Sequence, residues 1–443
     1  MPLSHLPPFL TSTFAALAHW LDKRTALRVP ALLCGILLAS GRRTVTAWIR
    51  AAGLSDDYRQ AYVSVCAIGR EADHLAITVV TDVVRPLVKG KRLLVGIDDT
   101  PTQRYGPCVE GAGIHHHPSP GPANEKHLYG HNWVVLAGLV RHPDWGTIAL
   151  PLQADLYIRQ ATIGDLPPER TRAFQTKLEL AANQLRWLKP WVSRHFEELV
   201  AAVDGGYAKR GFLKPAKAGG WEVISRLRKD AHLCDLPPTQ RRPGQRGPLP
   251  TYGKNRIYLA EQAAATDGWQ EVQCQQYGEE VTKTVKTFLA TWRPAGGVIR
   301  VVIVKEDDGW VAFFSTKAAA TVVQILEAMA DRGSLEQTNK DVKEVWGAGE
   351  QQVRNVYSNE GCFNLNLWMY SVVEAWAWEK DEEDLVDRIA SPWDSESRRP
   401  SHQDKRKALR RDILRAQIQA VLSADPTPED FRALAQSLLD MAA

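Results

Sequence analysis

What the chain lacks narrows it first. Six cysteines (Cys34, Cys66, Cys108, Cys234, Cys274 and Cys362) are scattered through 443 residues. None forms a Cys-x-x-Cys pair, which fits a reduced, intracellular protein without a structural zinc site. No run of about eighteen apolar residues exists, so no membrane helix is expected. The opening Met-Pro-Leu-Ser-His-Leu-Pro-Pro has neither the basic head nor the cleavage site of a signal peptide. Cytoplasmic location follows as the expectation. A nucleophile motif and a phosphate-binding glycine loop are also missing, against a hydrolase of small molecules.

Charge is present but mild, at a net +4; its distribution says more than its sum. Residues 1–50 hold Lys23, Arg24, Arg28, Arg42, Arg43 and Arg50 against the single acid Asp22. A second basic stretch, Gln240-Arg-Arg-Pro-Gly-Gln-Arg-Gly, brings Arg241, Arg242 and Arg246, with Lys254 and Arg256 behind. Local excess of this kind is a footprint of phosphate contact, and equally of solvated surface.

The chain is organised around Arg92-Leu-Leu-Val-Gly-Ile-Asp-Asp-Thr100, an apolar run that ends in two adjacent carboxylates. It reads as a buried strand followed by a turn at Pro101. Side chains alternate along a strand, so only one of Asp98 and Asp99 can face a site at its end. The following segment is rich in Gly, Pro and His, including His115-His-His117, His127 and His131. Without Cys or Asp at zinc-like spacing, it reads as a polar loop over a catalytic face. Two strands joined by His142-Pro-Asp-Trp-Gly146 complete an antiparallel set of three. An amphipathic helix from Thr171 to Val192 follows, then a short buried strand, Glu198-Leu-Val-Ala-Ala-Val, which runs into Asp204. The order is therefore three strands, helix, strand, with acids ending strands one and four. Trp221 to Asp230 reads as a fifth strand.

Residues 235–300 mix Pro, Gly and Arg with short β-like pieces, and Val298–Lys305 with Gly309–Ser315 reads as a hairpin. A long helix is expected from Ala318 to Val345. Within it, Arg332 and Glu336 are four apart and Lys343 lies two turns further, so the three share one face. A Trp-rich apolar helix over 361–378 reads as core. From Lys380 to Arg411 dense charge predicts a solvated arm, leading to a last helix over Pro428–Met441.

These pieces in this order resemble the insertion-sequence transposases of the DDE superfamily. The nearest likeness is to the branch whose glutamate sits in a Tyr-x2-Arg-x3-Glu-x6-Lys signature. Arg332, Glu336 and Lys343 match that spacing, while Met329 stands in place of the Tyr. Leu94-Val-Gly-Ile-Asp-Asp-Thr resembles the first-Asp motif, which favours Asp99 over Asp98. Ala201-Ala-Val-Asp-Gly-Gly-Tyr resembles the second, and Ile224-Ser-Arg-Leu-Arg-Lys-Asp-Ala the strand after it. The likeness spans roughly residues 90–378.

The resemblance implies an α/β fold: an RNase H-like mixed sheet flanked by helices, with an N-terminal helical domain and a β-rich insertion. The expected domains are a helical DNA-binding domain over 1–85 and a catalytic core over 86–234 and 301–380. The insertion would fill 235–300, and a charged linker with a C-terminal helical region 381–443. The implied activity is Mg²⁺-dependent cut-and-paste transposition on double-stranded DNA, cutting terminal inverted repeats and joining them to target DNA. A homodimer on paired ends, associated with a bacterial nucleoid, would carry it out. Asp99, Asp204 and Glu336 are the expected catalytic residues and metal ligands, holding two Mg²⁺ ions roughly 4 Å apart, with Mn²⁺ a substitute. Arg332 and Lys343 would hold phosphates beside the scissile bond. Arg42, Arg43, Arg241, Arg242, Arg246 and Arg293 would contact DNA, and Trp292 would stack on a flipped base. The alternatives are a transposase-derived DNA-binding protein and an RNase H-like nuclease without strand transfer.

Overall fold

The computed structural model describes residues 6–116, 126–241, 247–389, 392–395, 397–423 and a few positions beyond. At its centre is β1 (Arg92–Gln103). It pairs antiparallel with β3 (His127–His142) and parallel with β5 (Glu198–Val203). The far edge of β3 carries β4 (Gly146–Tyr157) and the short β2 (Gly113–His116). On the other side β6 (Glu222–Leu227) runs parallel to β5. Three antiparallel strands, then a crossover to parallel strands, make this an RNase H-like mixed sheet.

The β-rich stretch does not stand apart. β12 (Gly309–Ser315) pairs with β6, followed by β11 (Gly297–Glu306) and β10 (Glu279–Trp292). β9 (Gln270–Gln276) and the two-residue β7 (Leu233–Cys234) add to β10, and β8 (Arg256–Ile257) to β7. The continuation covers what would otherwise be an open strand edge at β6.

Helices cover both faces of the first strands, which is why β3 is buried from Gly130 through Val140 instead of alternating. One layer holds α8 (Lys177–Val192) and α9 (Arg210–Ala218). A full capping box closes the start of α8: Thr176 Oγ1 accepts the Glu179 N–H, and the Glu179 carboxylate accepts from Thr176. Pro190 sits inside the last turn and does not end the helix before Val192. The other layer is built on α13 (Val356–Ala377), buried over most of its length against β4.

The N-terminal part is helical as its spacing predicts: α1 (Pro8–Ala18), the short α2 (Lys23–Ala26), α3 (Val29–Leu38), α4 (Val45–Ala51), α5 (Tyr58–Arg70) and α6 (Ala72–Thr78). These helices share one continuous core with the sheet and α13, from Leu10 through Trp133 to Ile413. Short helices α7 (Gln160–Ile163), α10 (Leu259–Ala264) and α14 (Glu382–Leu385) complete the connections.

Three stretches differ from their sequence reading. β1 does not turn at Pro101 but continues through both acids to Gln103, paired with β3. The long helix is divided into α11 (Val322–Arg332) and α12 (Ser334–Glu344). At the joint the Ser334 hydroxyl donates to the Asp331 carbonyl, a side-chain bond that competes with the helical ladder. The charged stretch after Lys380 is not a solvated arm either. It contains α15 (His402–Ser423), whose His402, Lys405 and Arg406 are buried against α13 and α12 because each finds a polar partner there. The helix expected over Pro428–Met441 falls mostly outside the described residues.

Candidate active site

The two acids inside β1 point to opposite faces. Gly96 and Asp98 lie two apart and share a face. Gly96 lets α12 come close there, since a Cβ on it would lie 2.5 Å from Leu335 Cδ1. Asp98 thus faces the α11–α12 joint, and Arg332 Nη2 donates to its Oδ2 at 3.1 Å. Register brings the second acid beside it. Ile97 pairs with Val203 in parallel strands, so Asp98 and Asp204 are the next residues of adjacent chains. Asp204 is exposed and accepts the Gly206 N–H at 3.1 Å.

Burial, and then the charges of Asp99 and Asp204, raise the Asp98 carboxyl; Arg332 and the Asp99 N–H oppose them, leaving it at about 6. Glu336 stands in the first turn of α12 with its side chain 74% exposed, 3.9 Å from Arg332 Nη1. Lys343 closes the far end. Burial lowers its ammonium, and the charge of Asp98 acts in the opposite direction.

Asp99 takes the other face. It forms an ion pair with Lys177 at the start of α8 and lines a cavity of about 640 Å³ with His115, His116, His127, Asn132 and Tyr157. The polar loop expected over the catalytic face therefore borders this cavity, on the Asp99 side. His131 is buried and serves packing. Its Nδ1 accepts from Arg104 Nε at 3.1 Å, its Nε2 donates to the Glu110 carbonyl, and burial pushes it down to about 3.

The structure thus brings Asp98, Asp204, Arg332, Glu336 and Lys343 to one end of the sheet. Two residues were not marked by sequence as members of this set. Asp98 was the disfavoured of two neighbours. Tyr207, read only as the end of a glycine motif, is buried with an unpartnered hydroxyl near all three aspartates, and burial first and their charges next raise it well above the ordinary phenol range. A phenol two residues past an Asp-Gly turn was the available signal.

Of the expected DNA contacts, Arg42, Arg241 and Arg293 are exposed, and Arg293 lies over the Tyr252 ring. Arg43 is half-buried, with its backbone N–H donating to Glu350 at 2.6 Å. Arg242 and Arg246 lie outside the described residues. Trp292 is only 7% exposed and packs edge-on against Phe314 at 5.1 Å, so its ring is core and no face of it is open to a base.

Among the described residues, no three His, Cys, Asp or Glu side chains converge closely enough to hold a metal ion as they stand. The donor chemistry still fits a hard divalent cation. Asp98 and Asp204 are neighbouring carboxylates whose mutual repulsion a cation would relieve, and Glu336 is a third within reach of Arg332.

A family model described as DDE superfamily endonuclease matches residues 16–293. The chain belongs to that family. The match takes in β1, β5 and both aspartates, and ends before α12 and Glu336. The family gives the protein a nuclease-like function with DNA as substrate, and its members generally work with divalent metal ions. No curated protein matches the chain. No helix among the described residues is long and apolar enough to cross a membrane.

Proposed function

We propose that the protein is a cut-and-paste DNA transposase. It binds the terminal inverted repeats of its own element, works as a homodimer on two paired ends, and both cuts DNA and joins the freed ends to a target. Asp98, Asp204 and Glu336 are the catalytic carboxylates, with Asp98 taking the role that the resemblance favoured for Asp99. The observation that carries this is the placement of Asp98, inside β1, beside Asp204, the residue that follows β5, under the joint that bears Arg332 and Glu336.

Phosphodiester cleavage needs an activated hydroxyl and a stabilised leaving oxygen, and two Mg²⁺ ions (or Mn²⁺) held by the three carboxylates would supply both. In the resting arrangement Arg332 neutralises Asp98, and Glu336 lies outward in solvent. On binding, a substrate phosphate draws the Arg332 guanidinium away, which leaves Asp98 free to act as a ligand. Glu336, already within 3.9 Å of the same arginine, turns inward with it. Lys343 holds the phosphate on the far side. Arg42, Arg241 and Arg293 contribute sequence-independent backbone contacts.

The test is cleavage of DNA carrying the element's own ends, with Mg²⁺ and with EDTA. Wild type cuts at the ends only with metal. Asp98→Asn, Asp204→Ala and Glu336→Ala each cut at least about a hundredfold more slowly while still binding the ends, and Asp99→Asn keeps most of its rate. Loss of cutting in Asp99→Asn with survival in Asp98→Asn would reverse the assignment of the first carboxylate. Tight end binding without any cutting by wild type would point to a DNA-binding protein derived from a transposase.

A further inference from the structure

An open cavity of about 900 Å³ extends from Lys343 along the last residues of β1. One wall is the end of β1 and the segment after it, including Gln103 and Tyr105. The other is the loop after α12, as far as Arg354, and Arg42 closes the end nearest the N-terminal helices. This groove is not needed to hold the three carboxylates.

Its floor is rigid. Arg104 is 6% exposed and donates from Nη1 to the carbonyls of Gly349 and Gln351 at 2.8 and 2.7 Å. Gln351 Nε2 in turn donates to the Arg43 carbonyl at 2.7 Å, and the Glu350 carboxylate takes the Arg43 N–H. Gly349 has φ +107°, and even a bare Cβ there would approach Thr102 Cβ to 3.1 Å. Three separate chain segments are therefore tied into one channel, and its open basic side chains come from two of them.

We infer that this groove binds an unpaired stretch of the DNA strand that leaves the cleavage site. Four features select that ligand. Lys343, Arg42 and Arg354 present cations along its length, as a phosphate backbone requires. Tyr105 is 74% exposed, a large ring held at the rim with its surface open for stacking. The volume suits one or a few nucleotides and is too small for a double helix. Side-chain amides at Gln103 and Gln352 offer both donors and acceptors, which suits base edges of any sequence. Lys343 senses the charge of Asp98 and also lines the groove, so the strand path is continuous with the acid site.

The inference rests on the reading above only in taking DNA as the ligand, so it is tested without cleavage. A labelled duplex of about twenty base pairs and arbitrary sequence is compared with the same duplex bearing a short single-stranded thymidine tail, in EDTA, by fluorescence anisotropy. The readout is the ratio of the two affinities, in which general effects on folding or charge cancel. For wild type the tail tightens binding about tenfold. Tyr105→Ala loses most of that gain and Tyr105→Phe keeps it. Arg354→Ala lowers the salt dependence of the tailed duplex by about one charge. A tail that adds nothing for wild type, or a gain that survives both Tyr105→Ala and Arg354→Ala, overturns the proposal. Failure of metal-dependent cutting would instead count against the transposase reading and leave this ratio untouched.

Discussion

At the residue scale, the fate of a carboxylate is decided by what stands opposite it. Asp98 and Asp99 are chemically identical neighbours. One is raised to about 6 beside Asp204 and Arg332, the other is paired with Lys177, because a strand sends successive side chains to opposite layers. A second carboxylate shows the same logic away from the site. Asp155 on β4 is partly buried, and burial first, then Asp73 and Glu360, push its carboxyl up to about 8. The folded protein therefore keeps a proton there that the unfolded chain gives up near 3.8. Between those values folding takes up a proton, so each rise in pH costs stability, and the full penalty is present above about 8. Asp155→Asn removes this titration. Urea midpoints should show the variant gaining on wild type steadily from pH 5 to pH 8.5; parallel profiles would mean that Asp155 is ionised in the fold.

At the element scale, the site depends on how closely helices lie against one another and on the sheet. Helices α5 and α13 cross at Gly69 and Gly361, a contact that brings the N-terminal helices onto the catalytic layer. A Cβ on Gly69 would lie 1.8 Å from the Tyr357 carbonyl oxygen, and one on Gly361 only 2.2 Å from that of Val65. Backbone meets backbone there, so no side chain can give way. Gly361→Ala should cost about 3 kcal/mol or more, by forcing the two helices apart, read as a lowered denaturation midpoint. A change below about 1 kcal/mol would show that α5 can shift freely on α13. The joint at Gly333 works in the opposite sense. It interrupts the ladder so that Arg332, ending one helix, and Glu336, beginning the next, meet the strand ends together.

At the scale of the whole molecule, α15 ties distant parts into one body. Arg406 is 1% exposed and donates to the carbonyls of Leu37 and Ala39 at the end of α3, and to Val345 at the end of α12. A cation is thus set at two helix C-termini at once, where the backbone is most negative. Beside it Glu374 accepts from His402 and Lys405, both at 2.6 Å; burial would raise its carboxyl, but these two partners bring it down to about 2. Arg406→Ala leaves three buried carbonyls unpaired and should cost at least about 3 kcal/mol, with DNA cutting lost in step with the fold, as thermal melting followed by cleavage assays would show. Full stability in that variant would mean that the helix is held by its apolar contacts alone. Much of this protein was already legible in its sequence. The succession of three strands, a helix and a strand, the acids of the first and fourth strands, the spacing of Arg332, Glu336 and Lys343, and the buried Trp-rich helix were legible from periodicity and spacing, which are local properties of the chain. Tertiary structure alone decided that Asp98 and not Asp99 shares a face with Asp204, that Trp292 belongs to the core, and that a densely charged segment is buried. Each of those outcomes depends on which neighbour arrives from a distant part of the chain, and a side chain's burial or charge cannot be settled before that neighbour is in place.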